Sequence, residues 1–323
     1  FLVIGLMLAD ALNALRRARW RHLATGMVSA ALVVWGAWQV INVTALFPMM
    51  VAHPTTGGYG IPLRYPRAAA ALVEADSCPG PVVVLSNGTN PAFEETPAVF
   101  DAVLWDRAPR FADGALALPM PAGESAAFLV GPVASQYTPF EPILSRLEKM
   151  AGTQHATLHL PDGWSYQSYC RQRSHREDML AGLRRLPTDI PFANHVVLTA
   201  YALPETSTSG ETIDVWLAWW LRETPPTPVT TQFYAHLRDE NGETQAQFDG
   251  NGYPTFNWQT GDMVISHFPL ALPDTLPPGA YSVRVGMYTL PDVVNIPVVD
   301  ATGAPLDDGV TLGHVRLPML DQE

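Results

Sequence analysis

The sequence predicts an α+β multidomain protein with one or more N-terminal transmembrane helices, a small α/β layer domain and a C-terminal antiparallel β-sandwich. Three observations predict it. Residues 23–47 hold no Asp, Glu, Lys or Arg, and about 20 such residues cross a bilayer core. Between residues 66 and 160, helix-forming stretches alternate with short apolar runs, the pattern of a layered α/β unit. After Phe192 the helical patterns cease, and seven strand-like segments follow, separated by turn residues.

The N-terminal element divides around an arginine cluster. Residues 1–9 are apolar and read as the end of another spanning helix, so the chain reads as a fragment of a longer protein. Arg16, Arg17, Arg19 and Arg21 then precede the long apolar run. A cleaved leader fits poorly, because the run is too long and a second apolar segment precedes it. Loops rich in arginine stay in the cytoplasm, which sends everything after about His53 outside. Four of the 19 Lys+Arg and one of the 31 Asp+Glu precede His53, so the remainder carries a net charge of −15. The expected partner of the first 52 residues is the lipid bilayer, and the expected location is a bacterial plasma membrane with the C-terminal region extracytoplasmic.

Residues 53–165 are expected to form the exported α/β domain. Residues 53–66 are rich in Gly, Pro and Tyr and read as a loop. Residues 66–74 form helix readily and carry Pro66 where a first turn tolerates it. Residues 82–85 are continuously apolar, as in a strand buried on both faces. A second helix is expected over 97–105, a strand over 126–130, a third helix over 139–150 on Phe140, Ile143, Leu144 and Leu147, and a third strand over 156–160. Residues 166–190, basic and polar, read as a linker with a short helix. The sandwich is expected over 191–323, with strands near 195–203, 212–221, 229–237, 244–248, 263–270, 280–288 and 310–315. Asp239-Glu240-Asn241-Gly242 supplies hairpin chemistry, and Pro277-Pro278-Gly279 a second turn.

Composition removes several function classes. A net charge of −12 argues against nucleic acid, whose phosphates need a basic face. A 47% hydrophobic content excludes a disordered chain. No Walker A, GxGxxG, GxSxG or HExxH pattern is present, so no cofactor, metal or catalytic residue is assigned. His155 and His159 fall in a strand-like run, about 13 Å apart, too far to share an ion. The adjacent pairs Glu94-Glu95 and Asp307-Asp308 are expected to point apart into solvent.

Three sets remain as candidates. Trp216 and Trp220 share the face of one strand opposite Ile213, Val215, Leu217 and Trp219, and two exposed indoles would stack on sugar rings. Tyr253 and Trp258 would extend that platform; the other reading packs this face on the neighbouring domain. Asn87, Gly88 and Thr89 follow the first apolar strand, where ligands of open α/β sheets bind, or else form an ordinary turn. Cys78 and Cys170 would lie in a compartment that permits a disulfide; they either bridge the α/β unit or stay as two separate buried thiols.

Several stretches carry a resemblance. They are Arg107-Ala108-Pro109-Arg110-Phe111-Ala112-Asp113-Gly114, Phe233-Tyr234-Ala235-His236-Leu237-Arg238-Asp239-Glu240-Asn241-Gly242, Ala246-Gln247-Phe248-Asp249-Gly250, Tyr253-Pro254-Thr255, Trp258-Gln259-Thr260-Gly261-Asp262, Leu276-Pro277-Pro278-Gly279-Ala280-Tyr281 and Val285-Gly286-Met287-Tyr288. Together with the order of segments, they resemble the C-terminal region of bacterial membrane glycosyltransferases of the GT-C type, similar to protein mannosyltransferases and aminoarabinose transferases. The resemblance implies a polytopic enzyme that moves a sugar from a polyprenyl-phosphate donor to a glycan or other acceptor outside the cytoplasm. Its catalytic acidic residue would lie in an early external loop upstream of residue 1, so no catalytic residue carries over. The rival reading is a membrane-anchored, extracytoplasmic glycan-binding or scaffold protein without transferase activity.

Overall fold

The computed structural model describes residues 18–52, 60–74, 78–123, 125–134, 140–150, 153–172, 176–225 and 230–318. The chain divides into two units, Phe1–Pro62 and Leu63–Glu323. Residues 1–17, with Arg16 and Arg17, and residues 53–59 of the expected loop lie outside the described residues.

In the first unit, helix α1 spans Ala18–Ala52. Its segment His22–Val51 is long and apolar enough to cross a membrane, with a mean hydropathy of 1.6. Two of its polar side chains turn back on the helix: Asn42 Nδ2 donates to the Trp38 carbonyl at 2.7 Å and Thr44 Oγ1 to that of Val40 at 2.8 Å. That is what a solvent without hydrogen bonds demands. Pro48 sits inside the helix rather than ending it.

The second unit opens with α2 (Arg64–Glu74), β1 (Val82–Ser86), α3 (Glu95–Val103) and β2 (Arg110–Asp113). Next come β3 (Ala117–Met120), β4 (Ser125–Ala134), α4 (Glu141–Lys149), β5 (Thr153–His159) and β6 (Trp164–Gln172). The first sheet has the order β2-β1-β4-β6-β5, with β1 parallel to β2 and β4 and with β6 antiparallel to β4 and β5. All five residues of β1 are buried, because helices cover both faces. Val83 and Leu85 join Phe128, Val130, Phe140, Ile143 and Leu147 on the α4 side. On the other side α2 and α3 pack together, and Phe100 of α3 meets Tyr166 of β6 edge to face at 5.5 Å.

A short helix α5 (Arg176–Met179) leads to β7 (Arg184–Pro191), β8 (Val196–Ala202), β9 (Thr212–Leu221), β10 (Thr231–Arg238) and β11 (Thr244–Gly250). The chain closes with β12 (Met263–Ala271), β13 (Gly279–Thr289), β14 (Val294–Asn295), β15 (Val298–Val299), β16 (Pro305–Asp307) and β17 (Val310–Leu317). Two antiparallel sheets face each other: β3-β12-β9-β8-β7, and β11-β10-β13-β14 with β17 also on β13. A chain of rings fills the space between them. Phe192, Trp219, Phe233 and Trp258 follow one another at centroid distances of 5.9, 5.1 and 5.8 Å, with Tyr253 6.1 Å beyond Trp258. The expected hairpin turn holds as its residues dictate: Asp239 Oδ1 accepts the N–H groups of Asn241 and Glu243, and Gly242 takes φ 81°.

Two expectations about domain organisation are corrected. Residues 166–190 are not a linker. Their first part belongs to β6, which lies inside the first sheet between β4 and β5, and their last part to β7. Nor do the α/β layer and the sandwich separate cleanly, because β3 leaves the layer and pairs with β12 as an edge strand of the sandwich.

The joint between them is polar, with Asp262 buried at its centre. Arg110 Nη1 meets Asp262 Oδ2 at 2.7 Å and Arg110 Nη2 meets Gln259 Oε1 at 2.5 Å. Asp262 also accepts the N–H groups of Ala122 and Gln259, both at under 3 Å. The Asp113 N–H donates to the Gly252 carbonyl at 2.7 Å, and the His267 N–H to the Leu116 carbonyl at 2.8 Å. A Cβ at Gly252 would stand 2.7 Å from the Leu116 Cβ, so the close approach of the two parts needs glycine there.

Candidate functional site

The tryptophan face of β9 is not an open platform. Trp216 pairs across the sheet with His267, and their rings stack at 4.4 Å and 22°. Arg146, from α4, lies over the indole at 4.8 Å. The Trp216 ring is thus covered by neighbours from β12 and α4. Arg146 donates to the Ala181 carbonyl at 2.9 Å, and burial lowers its pKa. His267 is fixed in turn by Asp214 Oδ1, 2.7 Å from Nε2, and by the Ala115 carbonyl, 3.1 Å from Nδ1. The layered set Arg146, Trp216 and His267 therefore ties α4 to the sandwich.

Trp220 is half-buried, with Arg222 at 5.8 Å from its ring centre. Tyr253 and Trp258 are buried, which corrects the expectation that their rings extend an exposed platform. Trp258 Nε1 donates to the Tyr253 carbonyl at 3.0 Å and the Tyr253 hydroxyl to that of Asn257 at 2.9 Å. Burial pushes the Tyr253 hydroxyl far above its usual range. The outer side of Trp258 forms one wall of a cavity of about 270 Å³ at one end of the sandwich, lined also by Val196, Leu221, Phe256, Val294 and Ile296.

The Asn87, Gly88 and Thr89 loop leaves β1 at the carboxyl edge of the sheet and closes on itself. Ser86 Oγ donates to the Gly88 carbonyl at 3.3 Å, and Asn90 N–H to Glu94 Oε2 at 2.5 Å. Gly88 has φ 96°, and a Cβ there would strike the Glu94 carboxyl. Asp113, at the same edge on β2, has its pKa raised by burial, countered by the Ala115 N–H and reinforced by Glu94. Glu94 thus serves the turn instead of pointing into solvent as expected.

Asp307 and Asp308 also depart from expectation: both bond to the Arg284 guanidinium. Asp307 ends β16 and Asp308 lies in the following turn, so strand alternation does not separate them. They belong to a polar cluster on the outer face of the β10–β13 sheet that the sequence did not disclose. His236 Nε2 meets Asp249 Oδ1 at 3.0 Å, and the Tyr288 hydroxyl donates to Asp249 Oδ2 at 3.0 Å. Burial and that bond push Tyr288 up to about 12. Tyr234 packs on His236 at 4.5 Å and donates to the Asp308 carbonyl at 3.0 Å. The available signal was the period-two placement of Tyr234, His236 and Arg238 against Ser282, Arg284 and Gly286, which cross-strand pairing brings together. Asp249 spends both oxygens on neighbours, so the cluster locks the sheet face and offers no open acid–base pair.

Cys78 and Cys170 are joined in a disulfide across 92 positions. Among the described residues no three His, Cys, Asp or Glu side chains gather as a metal site. A scan against protein-family models and a search of curated proteins return no match for this chain.

Proposed function

We propose that residues 1–323 are the C-terminal, non-catalytic end of a polytopic bacterial membrane glycosyltransferase that uses a polyprenyl-phosphate-linked sugar. In this reading α1 is a spanning helix, and the unit from Leu63 onward is extracytoplasmic. The observation that carries the reading is the joint centred on buried Asp262. Arg110 lies in one of the stretches that carry the resemblance, and Gln259 and Asp262 lie in another. They meet directly, so the stretches act as one architectural feature that holds the layer against the sandwich. The disulfide supports the extracytoplasmic side, since such bonds persist where the compartment is oxidising.

The test is sugar transfer. Intact protein in vesicles, given a polyprenyl-phosphate-linked sugar and an acceptor glycan, is expected to transfer, and the unit 63–323 alone is expected not to. Transfer by the unit alone contradicts the assignment. Failure of the intact protein with glycan still retained contradicts it in favour of the anchored binding or scaffold protein.

A further inference from the structure

The most exposed large apolar residue among those described outside α1 is Phe93, at 88%. It is held out by a turn rather than left on a slack loop. The Phe93 and Glu94 N–H groups donate to the Asn90 carbonyl at 3.1 and 3.0 Å, and the Ala92 N–H donates to Asn90 Oδ1 at 2.9 Å. Glu94 returns the bond to the Asn90 N–H. These bonds fix the backbone that carries the ring, and an exposed phenyl group forgoes about 2 kcal/mol of burial.

The topology places Phe93 at a particular edge. It lies between β1 and α3, at the carboxyl ends of the parallel strands. Helix α2 packs on α3 and on β4, β5 and β6. Its far end is fixed at the amino edge, where Arg107, just before β2, donates to the Val73 carbonyl at 3.5 Å and to that of Gly80 at 3.0 Å. Eleven helical residues cover about 16 Å, so a helix that runs back along the strands starts at their carboxyl edge. Leu63, 56% exposed, opens it with Arg64, Tyr65 and Arg67 in the first turn. The chain enters the unit at this point. Ten residues, 53–62, join it in sequence to the end of α1.

We infer that this carboxyl edge, led by Phe93 and Leu63, inserts into the headgroup layer of a lipid bilayer. Aromatic and aliphatic side chains enter that layer, and arginine heads remain at its phosphates. Glu95 on the same edge is exposed and acidic, so apolar insertion contributes more than charge attraction to anionic lipid. The inference shares with the proposed function the membrane anchor alone; failure of sugar transfer leaves it standing. Trp105 supplies the internal comparison. It is 77% exposed but lies past the other end of α3, at the amino edge, and stays in water.

The experiment places an environment-sensitive fluorophore at each position in the intact chain reconstituted in phosphatidylcholine vesicles. Because Cys78 and Cys170 are bonded to each other, Phe93→Cys and Trp105→Cys each create a single free thiol within residues 1–323. Both side chains are solvent-facing, and thermal unfolding of each variant verifies that the fold is kept. Nitroxide on the lipid headgroup region is expected to quench position 93 at least about two-fold more than position 105, as interfacial depth requires. Equal quenching at the two positions overturns the inference. So does free access of a water-soluble quencher to position 93. Protection of position 93 from both quenchers overturns it as well, because a protein surface rather than lipid then covers Phe93.

Discussion

Arg110 and Arg284 each hold a carboxylate, and their surroundings differ. At the joint, Arg110 meets Asp262, whose side chain is 2% exposed. On the outer sheet face, Arg284 meets Asp307, at 2.5 Å, and Asp308, whose side chains are 55% and 60% exposed. The pairs are alike in chemistry, but water competes freely for only one of them. A buried charge that loses its partner keeps its desolvation cost, whereas an exposed one is rehydrated. The joint should therefore hold the layer to the sandwich, and the outer cluster should contribute little beyond local order.

The largest expected effect follows from cutting the joint. Asp262→Ala strands the Arg110 guanidinium and leaves the Ala122 and Gln259 N–H groups without an acceptor. Denaturant unfolding of the unit should show a loss of about 3–5 kcal/mol. A change below 1 kcal/mol would erase the distinction between the two arginine sites. Next comes the covalent tie. Cys170→Ser opens a loop of 92 positions and should cost about 2–5 kcal/mol, with the first sheet losing hydrogen-exchange protection before the sandwich.

The smallest effect belongs to the outer cluster. Asp307→Asn should change stability by less than about 1 kcal/mol, as exposed pairs do. Its sign with pH is fixed. The hydrogen bond from Arg284 holds the Asp307 carboxyl below its usual range. Its contribution is thus present above the unfolded value, about 3.9, and fades as pH falls below it. Stability curves of parent and variant should converge in acid. Curves that diverge there contradict the assignment.

The same physics sorts what was legible in the sequence. The continuous apolar run of β1 and the helical spacing of Phe140, Ile143, Leu144 and Leu147 report burial directly, and their elements fall where expected. Strand β3 was hidden because it carries Pro119. Proline is tolerated on an edge strand, where its missing donor faces outward, and β3 pairs on one side only, with β12. Strand β7, also at an edge, carries Pro187 and Pro191, which make its sequence read as linker. Strand β6 reads as polar because Ser168 and Arg171 are buried in it beside Tyr166, Tyr169 and Cys170. The candidate platform failed on a different point: spacing put Trp216 on an outward face, but nothing in the local sequence tells that Arg146, 70 positions earlier, covers it.

In the proposed orientation the unit from Leu63 onward stands outside the cytoplasm, tethered by α1. Lys149 tests it most directly, since it is the one lysine in the 323 residues and its side chain is exposed on α4. In intact cells a membrane-impermeant amine reagent should modify the peptide that carries Lys149, as read by mass spectrometry. Modification that appears only after the membrane is opened would contradict the claim.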